Sequence, residues 1–114
     1  MQVHNLLDAA THLPVLREWK AQGRIRYLGI THYASSAHPD VEALLRREPL
    51  DFLQINDSPV EPEAGERLLP LAAGRGVAVI ANRPFGGGEP LRRAARKPLP
   101  SRRAGARVYV LAPA

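Results

Sequence analysis

A chain of 114 residues with 45% hydrophobic and 24% charged residues is long enough for one globular domain with a buried core, and its composition is not that of a disordered or fibrous protein. The absence of cysteine excludes disulfides, thiolate metal ligands and thiol nucleophiles. The net charge of +5 is unevenly placed, since residues 1–88 hold nine Lys/Arg and ten Asp/Glu while 89–114 hold seven and one.

No apolar run approaches the roughly 18 to 20 residues of a membrane-spanning helix, and the first residues show no signal-peptide pattern, so a cytoplasmic location is the default expectation. The first strand, MQV before His4, reads as an element cut short at its start, because strands usually run to about five or six residues. A helix is predicted over 13–22, with Thr11 as N-cap, Pro14 in the first turn where its missing N–H is harmless, and Gly23 as the stop. Leu13, Leu16 and Trp19 form its apolar stripe.

Residues 26–30 read as a second strand that ends in Thr31, His32 and Tyr33. Ser35 and Ser36 offer caps for a helix carrying Val41, Leu44 and Leu45, and Pro49 stops it. A third strand over 51–55 empties into Asn56, Asp57 and Ser58. The helix after it opens with Glu61, Glu63 and Glu66, favourable near a positive helix end, and presents Leu68, Leu69, Leu71 and Ala72. Pro70 is expected to kink that helix at a cost of about 3 kcal/mol. Gly74 and Gly76 end it.

The fourth strand, 77–81, is a nearly continuous apolar run, as expected of a parallel strand buried on both faces. It leads into Asn82, Arg83, Pro84, Phe85 and the glycines 86, 87 and 88. From Glu89 the periodic pattern stops, and loop or disorder is expected over the Arg/Pro-rich stretch 89–114.

The strand exits His4, His32, Asn56 and Asn82 are spaced by 28, 24 and 26 residues, the interval of one strand, one helix and two loops. The expected fold is therefore α/β, about four units of a parallel βα array. A closed (β/α)8 barrel needs roughly 250 residues, so four units make a partial barrel. In such arrays functional side chains collect at the carboxyl ends of the strands.

Several residues carry chemistry that competes with a plainer role. His4 has an imidazole able to orient a carbonyl and assist proton movement, or it is simply a polar strand end. Gln54 can pair with an amide ligand or with neighbouring backbone. The three glycines suit phosphate approach or a flexible loop, and they match neither GxGxxG nor a Walker motif. The histidines at 4, 12, 32 and 38 lack metal-ligand spacing, so no metal is expected. Arg92, Arg93, Arg96 and Lys97 read as a solvated basic run, and with Tyr109 the lone aromatic of the tail no nucleic-acid partner is expected.

HLPVLREWKAQGRIRYLGITHY, EPLDFLQINDS and RLLPLAAGRGVAVIANRPFGGG, in that order, resemble the aldo-keto reductase family from its fourth strand through its seventh, over roughly residues 1–100. The resemblance implies a (β/α)8 TIM barrel and reduction of small aldehydes or ketones by hydride transfer from NADPH, with an Asp, Tyr, Lys and His tetrad. His4 matches the tetrad histidine. The other three members belong to strands that this chain does not contain. Thr31 and His32 match the usual Ser-Asn pair on the nicotinamide amide, and Gln54 matches the glutamine that bonds the carboxamide. Asn82 stands where a stacking aromatic is often found, and Arg83, Pro84, Phe85 and Gly86 match the loop beside the cofactor pyrophosphate.

The segment for the adenosine 2′-phosphate is not recognisable, and the resemblance stops at Ser101, as a frame change or truncation would produce. The implied protein is a fragment of an NADP(H)-dependent oxidoreductase, with 1–88 forming half of the barrel and 89–114 a tail. It is expected to be inactive alone, because His4 without Tyr and Lys has no proton to manage. The alternative is a non-catalytic half-barrel that associates through open sheet edges with another copy or a partner half.

Overall fold

The structure, a computed structural model, describes residues 1–88 together with 91 and 92. The expectation of loop or disorder over 89–114 falls, apart from those two residues, outside the described residues. Four strands alternate with three helices: β1 Gln2–His4, α1 Ala9–Ala21, β2 Gly29–Thr31, α2 His38–Arg47, β3 Phe52–Asn56, α3 Leu68–Gly74 and β4 Ala78–Asn82.

The strands form one sheet in chain order, β1-β2-β3-β4, every neighbouring pair parallel. Right-handed crossovers in such a sheet place all the connecting helices on one face. The residues confirm it: the cross-strand row Val3, Ile30 and Leu53, with Ile55, is buried together with Leu13 and Leu16 of α1, Val41, Leu44 and Leu45 of α2, and Leu68 and Ala72 of α3. The architecture is a partial α/β barrel of the TIM type, four parallel units with helices outside.

The rows of opposite parity, Gln2-Gly29-Phe52-Ala78 and His4-Thr31-Gln54-Ile80, lie on the other face. Gly29 is required there by close approach. A Cβ at that position would stand 2.6 Å from the Phe52 carbonyl oxygen and 2.9 Å from the Phe52 Cβ.

The two prolines exchange the roles expected of them. α1 begins at Ala9, four residues before the predicted start, so Thr11 lies inside the helix and Asp8 is the capping position, with no side-chain cap bond. Pro14 therefore sits in the helix interior, where it removes the N–H that would bond the carbonyl of the exposed Ala10. α3, by contrast, begins only at Leu68, because Glu63 opens a separate turn, Glu63–Gly65, ahead of it. Pro70 thus falls in the first turn, where no N–H partner exists, and the expected kink and its cost do not arise.

Other stops and starts follow local chemistry. Gly23 at φ 72 ends α1 in a Schellman arrangement: its N–H donates to the Lys20 carbonyl at 3.0 Å and the Arg24 N–H to the Trp19 carbonyl at 2.9 Å. Ser35 and Ser36 do not cap α2; a single tight turn, Ser35–Ala37, precedes it. Glu48 is extended before Pro49, as the pre-proline clash demands, and α2 stops there. An ion pair from Arg67 to Glu42, which Arg46 also contacts one turn on, links α2 to the segment entering α3.

β4 corrects the expectation of a strand buried on both faces. It is an edge of the described sheet, with Ala78 exposed and Val79 38% exposed. An apolar run reports β propensity and does not report whether a neighbour pairs with it.

Candidate functional site

Polar side chains do gather at the carboxyl ends of the strands. A cleft of about 360 Å³ is lined there by Gln2, His4, Asn5, Thr31, Tyr33, Gln54, Asn82 and Arg83. Of the residues singled out in the sequence, His4, Thr31, Gln54, Asn82 and Arg83 meet in it. Gln2, Asn5 and Tyr33 were missed, although period-two alternation from His4 reaches Gln2, and Asn5 and Tyr33 each adjoin a strand exit.

His4 is exposed at the end of β1 and its ring makes no hydrogen bond to a described residue. The chain turns sharply behind it. Asn5, Leu6 and Asp8 all adopt left-handed backbone, at φ 50, 56 and 47, which costs non-glycine residues about 1 kcal/mol or more each. The Leu7 N–H closes the turn on the His4 carbonyl at 3.1 Å.

His32 is not among the residues that line the cleft. Its Nδ1 accepts the N–H groups of Tyr33 at 3.0 Å and Ala34 at 3.1 Å, and its ring stacks on Tyr33 with centroids 5.5 Å apart. The imidazole is thereby folded into its own loop, while its backbone faces the neighbouring strands. The His32 N–H donates to the Gln54 carbonyl at 3.0 Å, and the His32 carbonyl accepts from Asn82 Nδ2 at 3.0 Å. Asn82 Oδ1 in turn accepts from Gln54 Nε2 at 2.7 Å.

Pro84, Phe85 and Gly86 continue from Arg83 into a tight loop beyond the cleft lining. Arg83 is left-handed at φ 49, and Gly86, Gly87 and Gly88 have φ 50, 70 and 89. The Gly86 N–H donates to the Arg83 carbonyl at 2.8 Å and the Gly88 N–H to the Phe85 carbonyl at 2.7 Å, so the loop spends two of its three glycine donors on itself. Phe85 is 48% exposed.

A second polar cluster lies beside the cleft, with no signal for it in the sequence beyond the polar run 56–58. Asn56, Asp57 and Ser58 are all buried. Asn56 Nδ2 donates to Ser35 Oγ at 2.8 Å, His38 Nε2 lies 3.1 Å from Asn56 Oδ1, and the Glu61 N–H donates to Ser58 Oγ at 3.0 Å. This node joins the loop after β2, the start of α2 and the loop after β3. Among the described residues no cluster of His, Asp and Glu is arranged for a metal, and no helix is long and apolar enough to cross a membrane.

Parallel βα units with their helices on one face, a polar rim at the strand ends and an adjoining glycine loop define one wall of a TIM-type barrel. Compared with known families, the chain matches the Aldo/keto reductase family over residues 4–107, most of its length, and it belongs to that family. The match runs past Ser101, where the resemblance was expected to stop. No curated protein and no solved structure matches the chain.

Proposed function

We propose that the chain is a fragment of an NADP(H)-dependent aldo-keto reductase, that residues 1–88 form half of its barrel, and that it does not catalyse carbonyl reduction alone. The observation that carries this reading is the meeting of His4, Thr31, Gln54, Asn82 and Arg83 around one cleft.

The donor set fits a nicotinamide carboxamide. No buried side-chain nitrogen or oxygen among the described residues lacks a partner. The Thr31 hydroxyl and Gln54 Oε1 make no hydrogen bond to a described residue, so both reach the surface, and the cleft they line is that surface. A carboxamide offers the complementary donor and acceptor pair. When bound, the cofactor supplies the hydride. Arg83, a guanidinium in the lining, favours an anion such as pyrophosphate on that side.

His4 would orient a carbonyl oxygen at the opposite rim. Among the described residues that line the cleft there is no Lys and no carboxylate of the kind that makes a tyrosine acidic. Purified chain mixed with NADPH and a panel of aldehydes and ketones is expected to show no cofactor oxidation above the protein-free rate. Turnover that His4→Ala abolishes would refute the inactivity. A cytoplasmic location accompanies this reading.

A second reading, association through the sheet, is favoured by a specific feature of β1. A groove of about 360 Å³ beside it is lined mostly by apolar side chains, Leu7, Val15 and Trp19 among them, with Gln2, His4 and His12, and Leu7 is 67% and Met1 60% exposed. Edge strands with apolar surroundings template pairing with another chain. Light scattering decides it: a dimer of twice the monomer mass supports association, and a compact monomer at high concentration removes it.

A further inference from the structure

We infer that Asn82 is a positioning residue that fixes which way the Gln54 amide faces and so sets the polarity of the cleft. Side-chain amides are ordinarily ambiguous between oxygen and nitrogen. Here chemistry removes the ambiguity, because the chain of contacts begins on a backbone carbonyl.

The His32 carbonyl only accepts, so the Asn82 atom 3.0 Å from it is Nδ2. The other Asn82 atom is then Oδ1, which only accepts, so the Gln54 atom 2.7 Å away is Nε2. Gln54 is left with Oε1 at the cleft surface, without a hydrogen-bond partner among the described residues. One carbonyl on β2's exit loop thus dictates, through β4, the face that β3 shows to a ligand. The relay spans three strands, and the same Asn82 bond ties the His32-Tyr33 loop to the edge strand.

The consequence is selection. An acceptor held at a set place favours a ligand group that brings an N–H, as a carboxamide does, and repels a carboxylate, whose oxygens only accept. This last step rests on the nicotinamide reading, whereas the relay itself does not.

The experiment uses the full chain, labelled with nitrogen-15, and two probes, nicotinamide mononucleotide and nicotinic acid mononucleotide. In the native chain the Gln54 and Asn82 side-chain amide protons are expected to be shifted from free-amide positions, and the amide probe to bind about fivefold or more tighter than the acid, as one net hydrogen bond implies. Asn82→Leu removes both contacts at similar volume. The Gln54 amide protons should move to free-amide positions and the preference should fall towards unity. Asn82→Asp, which keeps an acceptor for Gln54 but sets a carboxylate oxygen against the His32 carbonyl, covers the case in which the leucine variant fails to fold; it should perturb the backbone amides of 32–34. Unchanged Gln54 amide protons in Asn82→Leu, or unmoved 32–34 amides in Asn82→Asp, overturn the relay. If neither probe binds the native chain, the nicotinamide reading fails and the amide protons alone decide the relay. If both bind equally while the amide shifts behave as expected, the selective consequence is refuted.

Discussion

Lys20 and Asp51, 31 positions apart in the chain, meet at the amino end of the sheet with Nζ 2.8 and 2.6 Å from the two carboxylate oxygens. The same carboxylate accepts the Leu28 N–H at 2.8 Å, so one side chain ties α1, the entry to β2 and the entry to β3. Burial alone would raise the Asp51 pKa. The hydrogen bonds from Lys20 and Leu28, with the charges of Lys20 and the amino terminus, outweigh it and hold the carboxyl below its ordinary 3.8.

That lowering has a direction in pH. The folded state releases the Asp51 proton more readily than the unfolded chain, so its stabilisation is complete above the ordinary carboxylate pKa and disappears as pH falls through the folded value. Urea midpoints measured from neutral pH down to about pH 2 should fall in the acid range, and Asp51→Asn should flatten part of that fall. An Asp51→Asn profile parallel to the native one would show that the pair carries no pH-linked stability.

Gly29 and Gly74 should respond oppositely to alanine. At Gly29 the new methyl meets the Phe52 backbone, and a loss of about 1 to 3 kcal/mol is expected from overpacking. At Gly74, the last residue of α3, nothing lies within 4 Å, and alanine should stabilise by about 0.5 to 1 kcal/mol through a less flexible unfolded chain. Paired denaturation curves measure both.

The prolines give a similar contrast. Pro14→Ala restores an interior helical hydrogen bond and should raise stability by about 1 to 3 kcal/mol, less what the unfolded chain gains in freedom. Pro70→Ala acts in a first turn and should change stability by no more than about 0.5 kcal/mol. Equal effects at the two positions would contradict the helix boundaries.

Asn56→Ala should cost about 1 to 3 kcal/mol, because it removes a buried amide and the hydrogen bonds it makes to the half-buried Ser35 and His38. Amide hydrogen exchange across 32–38 should quicken, since the node anchors that loop. Ser36→Ala, at an exposed serine that caps nothing, serves as the control and should stay within about 0.5 kcal/mol.

The parallel units, the strand exits and the glycine stop at Gly23 were legible because each is written in neighbouring residues. Helix starts were less so. Thr11 looked like a cap, yet the left-handed turn Asn5-Leu6-Asp8 begins α1 earlier, and no propensity scale favours left-handed leucine. Glu61, Glu63 and Glu66 looked like one helix start, yet Glu61 bridges back to Ser58, Glu63 opens a separate turn that Glu66 follows, and α3 begins only at Leu68.

Asn56 and Asn82 show where local reading ends. Both are asparagines that close an apolar strand, in register with each other across β3 and β4. One is buried in a node that pins two loops; the other stands at the cleft and orients Gln54. By itself the sequence determined the repeat, the family and five of the eight residues that line the cleft, since periodicity and residue order are local properties. Only the tertiary structure decided the partners, because bonds between residues 28 and 50 positions apart depend on strand register and on which edge is left open.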